Sequence, residues 1–475
     1  MAQKKSIVII GAGPAGYTAA FLAADLGMEV TLVDENPRPG GVCLYRGCMP
    51  SKALLHIART LNEADQARNW GIDFGEPSID LDRLRNWKEQ VVSRLTGGLS
   101  QLSDQRSIDY VCGRASFVNA QTISVVRADQ NTQTINFDSA ILATGSRPAY
   151  PVAFPMNSER ILDSTTALEL RSIPKTLLVI GGGYIGLELG SVYAALGTKV
   201  TVVEMTDGLL PGADRDLVSV LSRQLRKQIG DIHLRTKVGQ VKTGANGVEV
   251  SLDGPETRGE VLVFDSVLVA VGRIPNSDIP GLEQTQIECD ERGFIKVDQH
   301  RRTAEPSIFA VGDLVGEPML AHKAFHESRV AVETIAGQSA VFEPAAIPAV
   351  VFTDPELAWC GLTETQAKRE GREIRTARFP WAASGRAVTL DRTDGATKLV
   401  LDRETDQILG VGIVGTGAGE LIAEAVIAIE MGATVEDLKL SIHPHPTLSE
   451  TMLEAAEVSL GLSTHVYRPS QRTEK

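Results

Sequence analysis

One segment near the N-terminus of this chain recurs, without a gap, 170 residues further on. Ser6–Asn36 reads SIVIIGAGPAGYTAAFLAADLGMEVTLVDEN and Thr176–Thr206 reads TLLVIGGGYIGLELGSVYAALGTKVTVVEMT. Gly11, Gly13, Gly16, Leu26, Gly27, Val30, Thr31 and Val33 return as Gly181, Gly183, Gly186, Leu196, Gly197, Val200, Thr201 and Val203. Each copy predicts an apolar strand, a glycine-rich turn, an amphipathic helix, a glycine stop and a second strand ending in an acid. The chemistry of a bound dinucleotide explains that order. The first glycine permits the tight turn, the second lets a pyrophosphate approach the backbone, and the third lets helix pack on strand. The phosphates then meet the free N–H groups at the positive end of the helix.

Asp34 and Glu204 close the two copies, each 23 residues after the first glycine (34 − 11 and 204 − 181), where they are placed to accept hydrogen bonds from a ribose. Two ordinary strand–helix–strand units would not need both acids at equal spacing. Glu204 also bears on the choice of nucleotide: an adenosine 2′-phosphate would lie against its carboxylate, and like charges repel at that range. Residues 205–210, MTDGLL, supply no compensating Arg or Lys, so NAD is expected over NADP.

A chain of 475 residues exceeds what one core usually serves, so two to four domains are expected. The formal net charge of −13 argues against nucleic acid or an anionic membrane surface as the main partner. No stretch is apolar enough for a membrane span. Lys4-Lys5 followed by Ile7–Ile10 imitates a secretory leader, but Gly11, Gly13, Pro14 and Gly16 break its apolar core, and a cytoplasmic location is expected.

Five cysteines, Cys43, Cys48, Cys112, Cys289 and Cys360, are too few and scattered for a disulfide-stapled fold. Cys43 and Cys48 stand apart, in GGVCLYRGCMPSKALLHIART. Pro50 and Ser51 open an expected helix from Lys52 to about Gln66, which puts Cys48 near a helix N-terminus, where a thiolate is stabilised. Cys43 lies one loop earlier. The pair reads as a redox disulfide. Two structural thiols or two metal ligands are the alternatives, although metal sites usually show tighter spacing and a second ligand pair. Lys52 reads either as a solvated helix charge or, from its closeness to Cys48, as a flavin contact.

His443-Pro444-His445-Pro446-Thr447-Leu448-Ser449-Glu450 precedes a helical stretch at 451–458. A histidine takes a proton from a thiol near neutral pH, and an acid five residues after His445 (450 − 445) can hold the imidazole tautomer.

With these motifs read, the sequence resembles the pyridine nucleotide–disulfide oxidoreductase family, and within it the branch that oxidises dihydrolipoyl groups. The likeness runs nearly end to end: GAGPAG at 11–16, GGVCLYRGCMPSK at 40–52, ATGSRP at 143–148, GGGYIGLELG at 181–190, VGRIPN at 271–276, SIFAVGD at 307–313, MLAHKAFHE at 319–327 and HPHPTLSE at 443–450. It implies FAD and NAD as cofactors. Cys43 would exchange with substrate and Cys48 would lie against the flavin, with Lys52 and Glu188 ion-paired beside it. Gly11, Gly13, Gly16, Asp34, Gly145 and Asp313 would hold FAD, the last at the ribityl chain. Gly181, Gly183, Gly186, Glu204 and Gly272 would serve NAD or lie next to the flavin. His445, paired with Glu450, would be the base, acting on Cys43 of the other subunit of a homodimer. A lipoyl-bearing protein of a 2-oxo acid dehydrogenase or glycine-cleavage system would be the partner. The rival within the family is a glutathione-reductase-like enzyme using NADPH; Glu204 and His443 speak against it.

The chain departs from the family pattern at LYRG between the cysteines, where LNVG is more usual, at Pro444 in place of Ala, and at Tyr184, a position that gates the nicotinamide pocket in glutathione-reductase-like relatives. The fold class expected is α/β, with two Rossmann-like dinucleotide-binding domains plus a C-terminal α+β dimerisation domain. FAD-binding segments are expected at 1–148 and 271–345, the NAD-binding domain at 155–270 and the interface domain at 346–475. The tail from Pro469 is expected to be mobile.

Overall fold

A computed structural model of the chain describes residues 4–151, 154–257 and 259–467; the tail from Pro469 lies outside them. The repeat becomes two five-stranded parallel sheets in which four strands match in order, while the edge strand beside them comes from a later segment in the first and an earlier one in the second. The first runs Ile308–Ala310, Ser139–Leu142, Ser6–Ile10 (β1), Glu29–Asp34 (β2), Asp109–Cys112 (β3). The second runs Ile161–Leu162, Ser266–Val269, Thr176–Ile180, Lys199–Val203, Ile232–His233. Their central strands are continuous apolar runs because both faces are covered, one by helices and the other by a three-stranded antiparallel sheet.

The equivalence holds bond for bond. Gly11 N donates to Val33 O at 2.7 Å and Gly181 N to Val203 O at 2.9 Å. A Cβ on Gly11 would meet Ala143 O at 2.3 Å, and one on Gly181 would meet Ala270 O at the same distance, so both turns exclude any side chain. The third glycines are equally confined: a Cβ on Gly16 would lie 1.7 Å from Gly11 O, and one on Gly186 2.2 Å from Gly181 O.

The sequence likeness fades after the second strand, but the topology does not. Each unit next inserts a three-stranded antiparallel sheet, at Arg114–Asn136 and Lys237–Phe264, before its fourth strand returns beside the first. By Ala143 and Ala270 the offset has fallen to 127 (270 − 143). The first unit is longer because it carries helices α2 (Gly41–Arg46), α3 (Cys48–Gln66) and α4 (Leu81–Gln105) where the second carries Arg215–Gln228.

Helix α3 begins four residues before the expected Lys52, and Cys43 sits not on a loop but on the short α2. Pro50 is accommodated because a first-turn residue needs no N–H bond of its own. Gly40, at φ 154°, and Gly47 break the chain on either side of α2. The apolar face of α3, Leu54, Leu55 and Ala58, joins one core with Leu187, Leu189 and Val192 of the Tyr184–Ala195 helix and with Val351 and Leu357. Each such leucine contributes about 1.5–3 kcal/mol on burial, and together they fix the redox helix against the second nucleotide unit.

The chain closes with a five-stranded antiparallel sheet, Ala349–Val351, Glu356–Gly361, Ile408–Gly415, Ala396–Asp402, Ile374–Pro380. Helices Ala418–Glu430 and Glu450–Leu460 pack on it through Ile422, Ala425, Met452 and Ala455. No helix among the described residues is long and apolar enough to cross a membrane.

Candidate active site

Strands that end side by side leave a crevice at their carboxyl ends, which is where parallel sheets bind nucleotides. Here it is a cavity of ≈ 720 Å³ lined by Ile10, Val33, Ala143 and Val311, the terminal residues of four strands or their neighbours. Gly11, Gly13, Asp34, Gly145 and Asp313 share its wall with Cys43, Cys48, Lys52, Tyr184 and Glu188. Helix α1 (Pro14–Asp25) begins at Gly13 with no side-chain cap and Pro14 in its first turn, so its first N–H groups are left for an anion. Asp34 accepts from Ala12 N through Oδ2 (2.7 Å) and from Asn36 N through Oδ1 (2.8 Å). The acid therefore braces the glycine turn besides facing the cavity. A bare turn, free N–H groups and a positioned carboxylate match the diphosphate and ribose of a dinucleotide, and the cavity is of a size to take one.

Cys43 and Cys48 are both thiols and share one wall of the cavity, where each shifts the pKa of the other. Their mutual influence makes them unequal. Donating to Cys48 holds the Cys43 proton in place and, with burial, pushes its pKa well up. Accepting from Cys43 lowers the pKa of Cys48; burial opposes this and the nearby Lys52 ammonium assists. The outcome is one thiol and one thiolate-prone sulfur, the asymmetry a dithiol electron donor needs.

Lys52 Nζ lies 2.8 Å from Glu188 Oε2 and 4.5 Å from the centre of the Phe352 ring. Glu188 is almost fully buried, and its Oε1 accepts from Phe352 N at 3.0 Å. A carboxylate from the second unit and a backbone N–H from the C-terminal sheet thus fix the lysine beside Cys48. Tyr184 faces the same cavity and is more than a third exposed, with desolvation of its hydroxyl raising the pKa to about 12.

Two further clusters were not singled out from the sequence. Glu327, fully buried, accepts from Gly312 N through Oε2 at 2.7 Å, while Lys323 Nζ donates to Gly312 O at 3.2 Å and to Glu327 Oε1 at 3.1 Å. The peptide before Asp313 is clamped from both sides. Arg273 donates through Nε to Ser146 Oγ and through Nη2 to Ser146 O, both at 2.7 Å, joining VGRIPN to ATGSRP. Lys323 and Glu327 lie four residues apart in MLAHKAFHE. That helical spacing was a visible signal, but only the fold shows what the pair encloses.

The second unit repeats the first. Glu204 accepts from Gly182 N (Oε2) and Thr206 N (Oε1), both at 2.7 Å, and the helix beginning after Gly183 likewise has no side-chain cap. Gly272 takes a φ of 124° and accepts from Ala149 N, where the chain leaves this unit.

His445 and Glu450 are brought together, Nδ1 to Oε1 at 2.9 Å, but neither lines the cavity of the cysteines. The imidazole is 78% exposed. Burial raises the Glu450 carboxyl, yet hydrogen bonds from Thr447 N and His445 outweigh this and hold it below its usual range. With Nδ1–H donated to that carboxylate, Nε2 is left to take a proton. His443 is tied separately, Nε2 to Glu424 Oε1 at 2.8 Å. Among the described residues, no histidine of the same chain lines the cavity of the two cysteines.

Comparison with known proteins agrees in its extent. Residues 5–328 match the family model described as pyridine nucleotide-disulphide oxidoreductase, and residues 347–456 match the dimerisation domain of the same family. Dihydrolipoyl dehydrogenase of Vibrio parahaemolyticus is 48% identical over 461 residues, 97% of each chain. That of Haemophilus influenzae is 48% identical over 97% of this chain and 96% of its own. Among solved structures, LpdA of Mycobacterium tuberculosis is similar with a TM-score of 0.88 and 28% identity, covering 95% of this chain and 99% of its own. The HOCl-induced flavoprotein disulfide reductase RclA of Escherichia coli has a TM-score of 0.85 and 29% identity, over 95% and 99%.

Proposed function

Because the chain belongs to the pyridine nucleotide–disulphide oxidoreductase family, we propose that it is a dihydrolipoamide dehydrogenase, oxidising dihydrolipoyl groups to the disulfide and reducing NAD⁺, with FAD as resident cofactor. The observation that carries this reading is the Cys43–Cys48 pair, both sulfurs in the wall of a dinucleotide cavity beside the Lys52–Glu188 ion pair. The near full-length likeness to dihydrolipoyl dehydrogenases supports the choice of substrate.

Gly11, Gly13, Gly16, Asp34, Lys52, Gly145 and Asp313 would hold FAD, which when bound supplies the two-electron link between the Cys48 thiolate and NAD⁺. Gly181, Gly183, Gly186, Glu204 and Gly272 would hold the nicotinamide dinucleotide, with Glu188 setting Lys52 between the two sites. On this reading residues 1–148 and 271–345 bind FAD, 155–270 bind NAD and 346–475 form the interface of a homodimer. A lipoyl-bearing protein brings the substrate, and the cytoplasm is the site of action.

In the oxidised enzyme Cys43 and Cys48 are joined. His445 of the partner subunit takes a proton from one dihydrolipoyl thiol, and the resulting thiolate attacks Cys43 Sγ. A mixed disulfide forms and Cys48 leaves as the thiolate, the better leaving group because its pKa is the lower. The second substrate thiol then displaces Cys43, releasing the lipoyl disulfide. The second thiol's proton passes to the departing Cys43 sulfur, whose pKa favours keeping it, while the first proton stays on the imidazole. Glu450 keeps Nδ1 protonated and stabilises the imidazolium.

Steady-state turnover decides the matter. Dihydrolipoamide with NAD⁺ is expected to be the preferred pair over both NADP⁺ and the glutathione/NADPH direction. A clear preference for glutathione and NADPH defeats the reading.

A further inference from the structure

Arg46 ends α2, in the LYRG stretch where the family more often has LNVG, and its side chain lines the dinucleotide cavity. Its contact with the protein is slight: Nη2 to Asn36 Oδ1 at 3.5 Å, at the outer limit of a hydrogen bond. Arg114, the neighbouring cation on the cavity wall, lies 3.8 Å from the Glu35 carboxylate. Among the described residues Arg46 has no such partner. A guanidinium carries five N–H donors in a rigid fork, and most of them here face no protein acceptor.

The surroundings define what those donors would meet. Asn36 donates through both N (2.8 Å) and Nδ2 (2.7 Å) to Asp34 Oδ1, and Asp34 Oδ2 accepts from Ala12 N in the glycine turn. Helix α2 starts hard against that turn, since a Cβ on Gly41 would come within 2.4 Å of Gly13 Cα, and Gly40 N donates to Ala12 O at 2.8 Å. Six residues of helix span only about 9 Å, so the long side chain of Arg46 stays within reach of the turn where α1 offers its free N–H groups. Arg46 therefore sits beside Asn36, which is bonded to the ribose acid, on the wall of the cavity that also holds the phosphate-binding turn.

We propose that Arg46 is an FAD-binding residue of this chain, its guanidinium fork engaging the cofactor's diphosphate and so tying the redox helix directly to the cofactor. The inference rests on the function proposed above. Arg–phosphate pairing is charge-assisted and often bidentate, which a valine cannot reproduce. Because α2 also carries Cys43 and leads through Gly47 into Cys48, the contact would link cofactor occupancy to the position of both sulfurs.

The test is equilibrium titration of apoprotein with FAD, followed by flavin fluorescence at low and high salt, for wild type, R46V and R46K. The expected result is a Kd about 10-fold higher for R46V, a smaller rise for R46K, and a weaker salt dependence for R46V. An R46V Kd within about two-fold of wild type at both salts overturns the proposal, since a charge-assisted pair is worth more than that. So does a rise in KM for dihydrolipoamide with FAD binding unchanged, which would place Arg46 at the substrate entrance. Should R46V not fold, R46Q removes the charge with less change of size and is read the same way. Wild-type protein that binds no FAD, or oxidises no dihydrolipoamide, would sink the functional reading instead.

Discussion

Lys52 Nζ and Glu188 Oε2 meet at 2.8 Å although 136 residues separate them, one on the redox helix of the first nucleotide unit and the other on the nucleotide helix of the second. Glu188 is nearly inaccessible whereas the Lys52 side chain is a third exposed. The bond is thus a strut between the two units and, through Phe352, the C-terminal sheet.

Removing the acid strands a half-buried ammonium and an unbonded Phe352 N–H. Glu188→Ala is expected to lower unfolding free energy by about 2–3 kcal/mol, less than the ~3–5 of a fully buried pair because water still reaches Lys52. Glu188→Gln keeps an acceptor for Phe352 N and should cost less. Urea denaturation of the FAD-saturated proteins measures both, and equal stabilities for E188A and wild type would contradict the strut.

The pH dependence of Cys48 follows from its partner. A lowered thiol pKa means that the thiolate, and with it alkylation by iodoacetamide, sets in at lower pH than for an ordinary cysteine. The hydrogen bond from Cys43 is the largest cause, with Lys52 contributing after it. In Cys43→Ala the midpoint of the rate–pH curve should move up, and in Lys52→Met it should move up by less. Peptide mapping after pulse alkylation of the dithiol-reduced enzyme reads the site directly. A C43A curve superimposed on wild type would show that the two sulfurs do not communicate.

How much of this was legible beforehand depends on whether a signal was local. The glycine turns, their acids and the 170-residue repeat could be read because each is a short pattern dictated by one turn and one ligand. Cys43 and Cys48 were legible as a pair for the same reason. The start of α3 was not: Pro50 looked like an opening residue, but it tolerates any first-turn position, and Gly47 proved to be the boundary. The Gly312 clamp was hidden because its meaning lies in a peptide that Lys323 and Glu327 meet only after folding. The continuation of the repeat through the antiparallel insertions was hidden too, since pairing register and burial constrain such strands without demanding particular residues.

Glu327 supports two buried or nearly buried cations, Lys323 at 3.1 Å and Arg301 at 3.0 Å, besides Gly312 N. Replacing it by alanine leaves both charges and the N–H without their shared acceptor. A loss of about 3–5 kcal/mol is expected, together with weaker FAD retention through displacement of Asp313. Gel filtration followed by the flavin-to-protein absorbance ratio gives the second quantity. FAD retained at wild-type level by a folded Glu327→Ala protein would separate the clamp from cofactor binding.

The separation of His445 from the cysteine cavity makes the strongest demand on the proposed mechanism, because it requires two chains for one site. Cys48→Ser removes the electron-donating sulfur, and His445→Gln removes the base, at an expected cost of ~10²–10⁴-fold in turnover. Each homodimer is then inactive or nearly so. In a heterodimer of the two variants, one site combines both lesions, while the other joins the intact cysteines of one chain to the intact histidine of its partner. Co-expression with two different affinity tags and tandem purification isolates that species. If the base acts across the interface, the heterodimer recovers about half the wild-type turnover with dihydrolipoamide, one working site in two. If each chain supplied its own base, both sites of the heterodimer would carry a lesion, and activity would stay at the level of the defective parents.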